Sequence, residues 1–524
     1  MKIFSFVSLL FIFLSCKTEV KKVIPLEDLK ISIKEKIKRS LEEEYLTIMG
    51  IDLKAGELLD EFYKKNQYKP RWINDSTLTQ EGEKLKKILS NKIQFGIPDA
   101  RYKQFKWKKT SFLQDEILIT TTLAYLSNDV KFGFLKSDTL LVKPLAFGSL
   151  PTLEKISLFD SDTLTVEEQI LALGPIDTNY RQLANGLLNY CKQYRADTTT
   201  FQVESIKKDS LHAENKARKS LFSKGYLKSE KVDSITFHNA LSLFQQHNGL
   251  KPDGVIGTYT AKALSESTYH KLLRTALSME KWRWKSDYPI KHLRINIPEF
   301  TLRLVIDDTV RSLNRIIVGK PETPTPELNA IVRQIVVFPY WVVPQSICNK
   351  EILPKVKQNV NYLAKNHYKI FRKDNEVDPK SVNWSKVRDN TFPYKVRQDF
   401  GPWNSLGIIK FEFHNKYGVY VHDTPNRNLF SGDVRSYSHG CMRCEFPVEL
   451  AKTILEKDST KQGRNEITPL LLDSLYTLNE NYRISLKEQI PIFVEYKTVT
   501  ISRSFLVFHP DIYWRDEKYL KLLK

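Results

Sequence analysis

The stretch "RSYSHGCMRCEFP", residues 435–447, sets two cysteines beside a Ser-His-Gly turn. A thiol attacks poorly until it is deprotonated, and a nearby imidazole is the usual device for making thiolate. His422, at the end of the strand-like "GVYVHD", lies 19 residues before Cys441 and is the natural general base. Alone it reads as a satisfied strand-end histidine; paired with the Ser-His-Gly-Cys turn it reads as catalytic. Gly440 lets the chain turn sharply, so backbone N–H groups from 439 to 441 can converge on one point, as an oxyanion hole requires. His439 fits a structural turn residue better than a second base. Cys444 follows Cys441 at the spacing of a redox or metal pair. A redox pair normally opens a helix in a βαβ setting, whereas this one ends a β segment. His422, His439, Cys441 and Cys444 could be counted as four zinc ligands, but a lone nucleophile explains more of the surroundings. The expectation is therefore Cys441 as nucleophile, Cys444 as a packed small side chain, and no metal or cofactor.

The elements that must position these residues change character along the chain. From about 50 to 200, leucines and aromatics recur three and four apart, which predicts a helical core. Residues 204–268 predict a separate small helical unit whose "GLKPDGVIG" turns at Gly249, Gly254 and Gly257. From 290 the pattern becomes β-branched alternation in short runs ("HLRINIP", "RQIVVFPYWVVP", "LGIIKFEF", "IPIFVEYKTVTI") separated by Pro and Gly, which predicts a mostly β domain. Inside it, about 350–392 is rich in Lys, Asn and Asp. An insertion of that length is usually functional, as a lid is.

At 524 residues the chain predicts two to four folded units. Its formal charge of +20 favours a polyanionic surrounding. No zinc-finger spacing or aromatic-basic RNA signature is present, so nucleic acid is set aside in favour of anionic lipid or an acidic wall polymer. "MKIFSFVSLLFIFLSCKTEV" has an apolar run too short to cross a bilayer. Its Ser15-Cys16 ending resembles a bacterial lipobox, with Cys16 as the lipidated residue. This predicts an exported protein held to an envelope membrane by lipid only. Four further cysteines (Cys191, Cys348, Cys441, Cys444) are too few and scattered for a disulfide framework.

Two resemblances rest on longer motifs. "FHNALSLFQQHNGLKPDGVIGTYTAKAL" is similar to small three-helix peptidoglycan-binding domains. "VYVHDTPNRNLFSGDVRSYSHGCMR" resembles the active-site signature of L,D-transpeptidases. "MEKWRW", "LRINIPEFTLRL", "IIVGKPETPTPELNA", "VVFPYWVVPQSI" and "GPWNSLGIIKFEFHNKYGVYVHDTP" resemble the large periplasmic branch of that family. The resemblance implies a multidomain α+β protein. Its parts would be a lipoprotein-type leader (1–16), a tether (17–45), a helical scaffold (46–203), a peptidoglycan-binding domain (204–268) and a return helix (269–289). A β-sandwich catalytic domain (290–500, lid about 350–392) and a C-terminal segment (501–524) would follow. It implies Cys441 as nucleophile, His422 as base and acid, and the Asp423 backbone carbonyl as the acceptor that orients His422. His439 and Gly440 would form the oxyanion hole, and Arg443, Tyr420, Trp341 and Ser438 would bind substrate. It further implies peptidoglycan stem peptides and glycan as partners, a 3→3 crosslink or a trimmed stem as product, and carbapenems as inhibitors. Two departures stand out: "QDFG" at 398–401 lacks an expected proline, and "TVTISRSFLVFHPDIYWRD" lacks an expected Asp-Gly turn.

Overall fold

The computed structural model describes residues 25–105, 107, 110–137, 140–144, 164–284, 288–388, 392–458 and 469–523. The expected leader and Cys16 lie outside the described residues. The chain divides into two compact units.

The described part of the first unit comprises residues 25–91 and 102–126. It contains α1 (Ile33–Ser40), α2 (Glu43–Met49), α3 (Leu53–Lys65), α4 (Gln80–Leu89) and residues 112–126 of α5 (Phe112–Phe132). Ser32, Asp52 and Thr79 cap α1, α3 and α4 by accepting first-turn N–H groups, which satisfies donors the helix leaves orphaned. The expected tether is helical from Ile33 onward, because Ile37 and Leu46 are buried while the charges lie outside. Inside the unit, the Glu116 carboxylate accepts from the Arg71 and Trp72 N–H groups and from the Tyr63 hydroxyl. The buried acid is thereby satisfied, although burial raises its pKa.

The second unit begins its long helical part with α6 (Val166–Leu171) and α7 (Thr178–Gln193). Next come α8 (Ala213–Ser223), α9 (Ser234–His247) and α10 (Thr258–Ser265), which enclose a core that includes Leu221, Leu241, Phe244 and Leu264. The loop between α9 and α10 is tied by one side chain. The Gln245 amide donates to Asp253, the Val255 carbonyl and Thr260, and accepts from the Gly254 N–H. Gly257 closes a tight turn, its N–H donating to the Val255 carbonyl at 2.9 Å, and caps α10. The helix α11 (Thr268–Arg283) is buried along almost its whole length. Most of its charges are paired, Arg274 with Glu266, Lys281 with Asp516 and Arg283 with Glu280, while Lys271 donates to the Asn248 amide oxygen. Glu280 also accepts from the Phe134 and Leu135 N–H groups. The "MEKWRW" motif is thus a buried ionic core.

The β domain contains β1 (Lys291–Asn296), β2 (Thr301–Ile306), β3 (Thr309–Gly319), β4 (Leu328–Val337), β9 (Ile409–Phe413), β10 (Val421–His422), β11 (Ser436–Ser438), β12 (Met442–Cys444) and β13 (Tyr482–Glu495). They form one sheet in the order β11-β3-β12-β10-β9-β4-β13-β1-β2, and β2 pairs back onto β3. Hydrogen bonding thus closes the sheet into a single circuit. The long β3 closes it, since residues 309–315 pair with β2 while 316–319 pair with β12 and β11. Closure leaves fewer open edges. Apolar residues of α12 (Pro447–Asp458) and α13 (Pro469–Leu478), among them Leu450, Ile454 and Leu472, join the sheet core around Ile335, Phe411 and Met442.

Between β4 and β9 the insertion is a folded piece, with short helices over Leu353–Gln358 and Asn361–Lys365. Strands β5 (Trp341–Val342), β6 (Tyr368–Arg372), β7 (Asn375–Val377) and β8 (Lys395–Gln398) make a second sheet in the order β5-β8-β6-β7. Val343, Cys348, Leu353, Ile370, Trp384 and Val396 give it its own core. It spans 341–398, wider than the expected 350–392, because the apolar strands flanking the polar stretch belong to it. The "QDFG" loop that follows is held by Gln398, whose Oε1 accepts from the Ser405 N–H, and by Asn404, whose Oδ1 accepts from the Leu406 N–H.

The C-terminal residues fold as β14 (Val499–Ser502), β15 (Phe505–Phe508) and α14 (Arg515–Leu520). Arg503 and Ser504 both have positive φ, so the hairpin turns without the expected glycine. Phe508 packs its ring against Tyr190 of α7 at 5.8 Å.

Candidate active site

The register of three strands builds the site. Strands β10 and β12 run parallel with Val421 opposite Met442 and His422 opposite Arg443. Strands β9 and β10 run antiparallel with Phe411 opposite Val421 and Lys410 opposite His422. Val421, Met442 and Phe411 lie in the sheet core. Because side chains alternate across a strand, Lys410, Tyr420, His422, Cys441 and Arg443 share the opposite face. Cys444 is fully buried in the core with Met442, on the far side of the sheet from Cys441. The two thiols therefore cannot share a metal or a disulfide without unpairing β12.

His422 is buried, and its Nδ1 lies 2.5 Å from the Asp423 backbone carbonyl. A carbonyl only accepts, so Nδ1 carries the proton and Nε2 keeps its lone pair. The Asp423 carboxylate is engaged elsewhere. Its Oδ2 accepts from the Ile408 N–H at 3.0 Å and its Oδ1 lies 2.6 Å from Arg427. Gly407, at φ +62°, packs so closely on this carboxylate that a Cβ there would overlap it. Burial is the largest influence on His422, followed by the charge of Arg443; together they press its pKa down to about 3 against the pull of the Asp423 and Leu406 carbonyls.

Cys441 is half-buried. Burial pushes its thiol up, while the Tyr420 N–H and hydroxyl and the charges of Lys410 and Arg443 pull it down. The resting pair is therefore a neutral thiol beside a neutral imidazole. Tyr420 packs edge-on to His422 at 5.6 Å and has the Lys410 ammonium 4.4 Å from its ring centre. Its hydroxyl also receives a hydrogen bond from Trp341 of the insertion. Lys410 pairs with Glu412 at 2.8 Å. The Arg443 Nε is buried with no hydrogen-bond partner among the described residues.

The turn before Cys441 departs from expectation in two places. Ser438, expected to face substrate, is buried; its hydroxyl donates to the Cys441 carbonyl at 2.5 Å and accepts from the Gly440 N–H at 3.1 Å. It shapes the turn instead. The Gly440 N–H, expected in the oxyanion hole, is consumed by that bond. The backbone N–H groups of His439 and Cys441 have no acceptor among the described residues. Gly440 sits at φ +114°, a conformation closed to L side chains. Thr325 fixes the turn from below, accepting from the Gly319 N–H at 2.9 Å and donating to the Gly440 carbonyl at 2.8 Å. The His439 ring pairs through Nε2 with Glu351 of the insertion at 2.6 Å. Lys410, Thr325 and Glu351 escaped the sequence reading. Only Thr325 carried a signal, within "PETPTPE"; the other two are ordinary charges whose place depends on register.

Residues 290–463 match the family model of the L,D-transpeptidase catalytic domain, YkuD. Residues 57–187 match that of the Scaffold domain. A Haemophilus influenzae protein named "Putative L,D-transpeptidase" is 33% identical over 225 residues, which is 43% of this chain and 44% of that protein. The chain thus spans under half the length of the curated relative it matches. Among solved structures, an L,D-transpeptidase from Mycobacterium smegmatis is 16% identical over 39% of this chain and 58% of its own, with a TM-score of 0.18. One from Stackebrandtia nassauensis is 13% identical over 57% and 95%, with a TM-score of 0.19. Both scores are too low to define a shared fold.

Proposed function

We propose that the protein is a peptidoglycan L,D-transpeptidase that forms 3→3 crosslinks through a thioester on Cys441. The observation that carries this reading is the shared face of Cys441 and His422, the latter held in one tautomer by the Asp423 carbonyl, within residues that match the catalytic-domain model.

In the proposed reaction Cys441 Sγ attacks the carbonyl carbon of the third stem residue, meso-diaminopimelate, while His422 Nε2 takes the thiol proton. The backbone N–H groups of His439 and Cys441 receive the developing oxyanion. The C–N bond to D-Ala then breaks, and His422 returns the proton to the leaving amine. An amine of a second diaminopimelate attacks the thioester, loses its proton to His422, and the thiol is restored. Lys410 and Arg443 suit the carboxylates that stems carry, with Tyr420 and Trp341 walling the cleft.

The same reading makes 341–398 a cap over the acyl group, since Trp341 and Glu351 already touch Tyr420 and His439. It makes 204–268 a wall-binding module, Cys16 a lipid anchor on a periplasmic protein, and carbapenems inhibitors that acylate Cys441. The test is mass analysis of products after incubation with disaccharide tetrapeptides. Dimers lighter than two donors by one D-Ala support the proposal. Tripeptide monomers alone would make the enzyme an L,D-carboxypeptidase, with water as acceptor. No product from a folded protein would leave a non-catalytic wall-binding protein.

A further inference from the structure

A cavity of about 840 Å³ is lined by α10, α11 and the segment 508–521. That volume falls in the range of small-molecule sites, about 300–1,000 Å³. Its floor is polar, and the Arg274 Nε is buried there with no hydrogen-bond partner among the described residues. Arg274 holds Glu266 at 2.9 Å and donates to the carbonyls of Thr498 and His509, and His270 Nδ1 lies 2.6 Å from Glu266. On the rim, Lys521 is 3.7 Å from Glu517. The lining is mixed in charge: beside these pairs it includes Lys262, whose ammonium lies 5.5 Å from the Tyr259 ring centre.

Tyr259, Tyr269 and Trp514 also line the cavity, and no side-chain hydrogen bond holds any of the three among the described residues. Trp514 is 55% exposed and sits at φ +52°, a conformation that disfavours a bulky side chain. The turn that holds it is clamped. The Arg515 and Asp516 N–H groups donate to the Asp511 carboxylate at 3.0 and 3.1 Å, and that carboxylate accepts from the Tyr496 hydroxyl at 2.5 Å. A large exposed ring in a strained, rigid turn at a cavity mouth is costly for folding and useful for binding.

We propose that this cavity is a binding site for an N-acetylated oligosaccharide, with Trp514 as the stacking platform. Sugar rings present an apolar face to an aromatic and hydroxyls to the phenols of Tyr259 and Tyr269 and to the charged groups of the lining. The choice of an N-acetylated sugar rests on the wall-acting reading above; the existence of a saccharide site does not. The site would hold the glycan while the stem peptide reaches Cys441.

The test is titration calorimetry of the full chain with the tetramer of N-acetylglucosamine, alongside carbapenem acylation of the same samples. The wild type should bind the tetramer, Trp514→Ala should bind roughly tenfold more weakly or not at all, and Trp514→Phe should recover part of the loss. Trp514→Gly, which relieves the backbone, should bind as poorly as Trp514→Ala yet melt no lower than the wild type. All four should acylate at the same rate. A wild type that does not bind the tetramer overturns the proposal, as does a Trp514→Ala protein that binds it normally. Failure of acylation in the wild type would instead count against the transpeptidase reading.

Discussion

At the scale of single residues, the site is governed by desolvation. His422 with its pKa near 3 and Cys441 with its thiol pushed up cannot rest as a thiolate–imidazolium pair. Alkylation of Cys441 by iodoacetamide should therefore climb continuously from pH 6 to beyond pH 9; a flat rate between pH 5 and 8 would reveal a preformed ion pair. The sign for stability follows. The unfolded histidine binds a proton below its ordinary value while the folded one stays neutral, so its contribution is intact above pH about 6.5 and is lost as pH falls towards 3. Asp423 separates two roles. Asp423→Ala keeps the carbonyl that orients His422 but removes the acceptor of the Ile408 N–H, so it should lower stability by about 1–3 kcal/mol and slow acylation by about tenfold or less. His422→Ala should slow acylation by about 10²–10⁴. Equal rate losses in two folded proteins would make the carboxylate the orienting group. The chemical residues were legible in the sequence because Cys441 and His422 sit in dense local motifs. Lys410 was not, since nothing in "GIIKFEF" says that its neighbour across the strands is His422.

At the scale of elements, two connections hold the site in shape, and both are long-range. Thr325 bridges Gly319 to Gly440. Thr325→Val should cost about 1–3 kcal/mol by leaving a buried N–H and a carbonyl unpaired, and should slow acylation although it touches no substrate. Unchanged kinetics in that variant would show that the turn keeps its shape without the bridge. The insertion is the other connection. Its polar composition hides a core of Val343, Ile370 and Val396, because the apolar residues are spaced across strands rather than clustered in sequence. It should therefore move as a body. The His439–Glu351 pair is exposed on both sides, and such pairs contribute at most about 1 kcal/mol. His439→Ala should thus speed hydrogen exchange across 345–358 no more than about fivefold and leave Ile370 and Val396 protected. Loss of protection throughout 341–398 would mean that the insertion depends on the turn for its fold.

At the scale of the whole molecule, the alternation of apolar residues announced helices first and strands later, and the structure has that order. What it hid was closure of the sheet, which needs β3 to serve two neighbours, and the role of the C-terminal hairpin, whose Arg503-Ser504 turn carries no glycine to mark it. The buried ion pairs of α11 were hidden for a similar reason. Charged residues in "MEKWRW" read as solvent-facing until their partners Asp516 and Glu280 are seen. The account's central claim is that one thiol does the chemistry. Of the four cysteines described, Cys348 and Cys444 are buried and Cys191 has its thiol pushed up to about 12 by burial. The most direct test is the intact mass of the protein after incubation with a carbapenem, for the wild type, Cys441→Ala and Cys444→Ala. The account predicts one adduct on the wild type and on Cys444→Ala, and none on Cys441→Ala. An adduct on Cys441→Ala, or its loss from a folded Cys444→Ala, would contradict it.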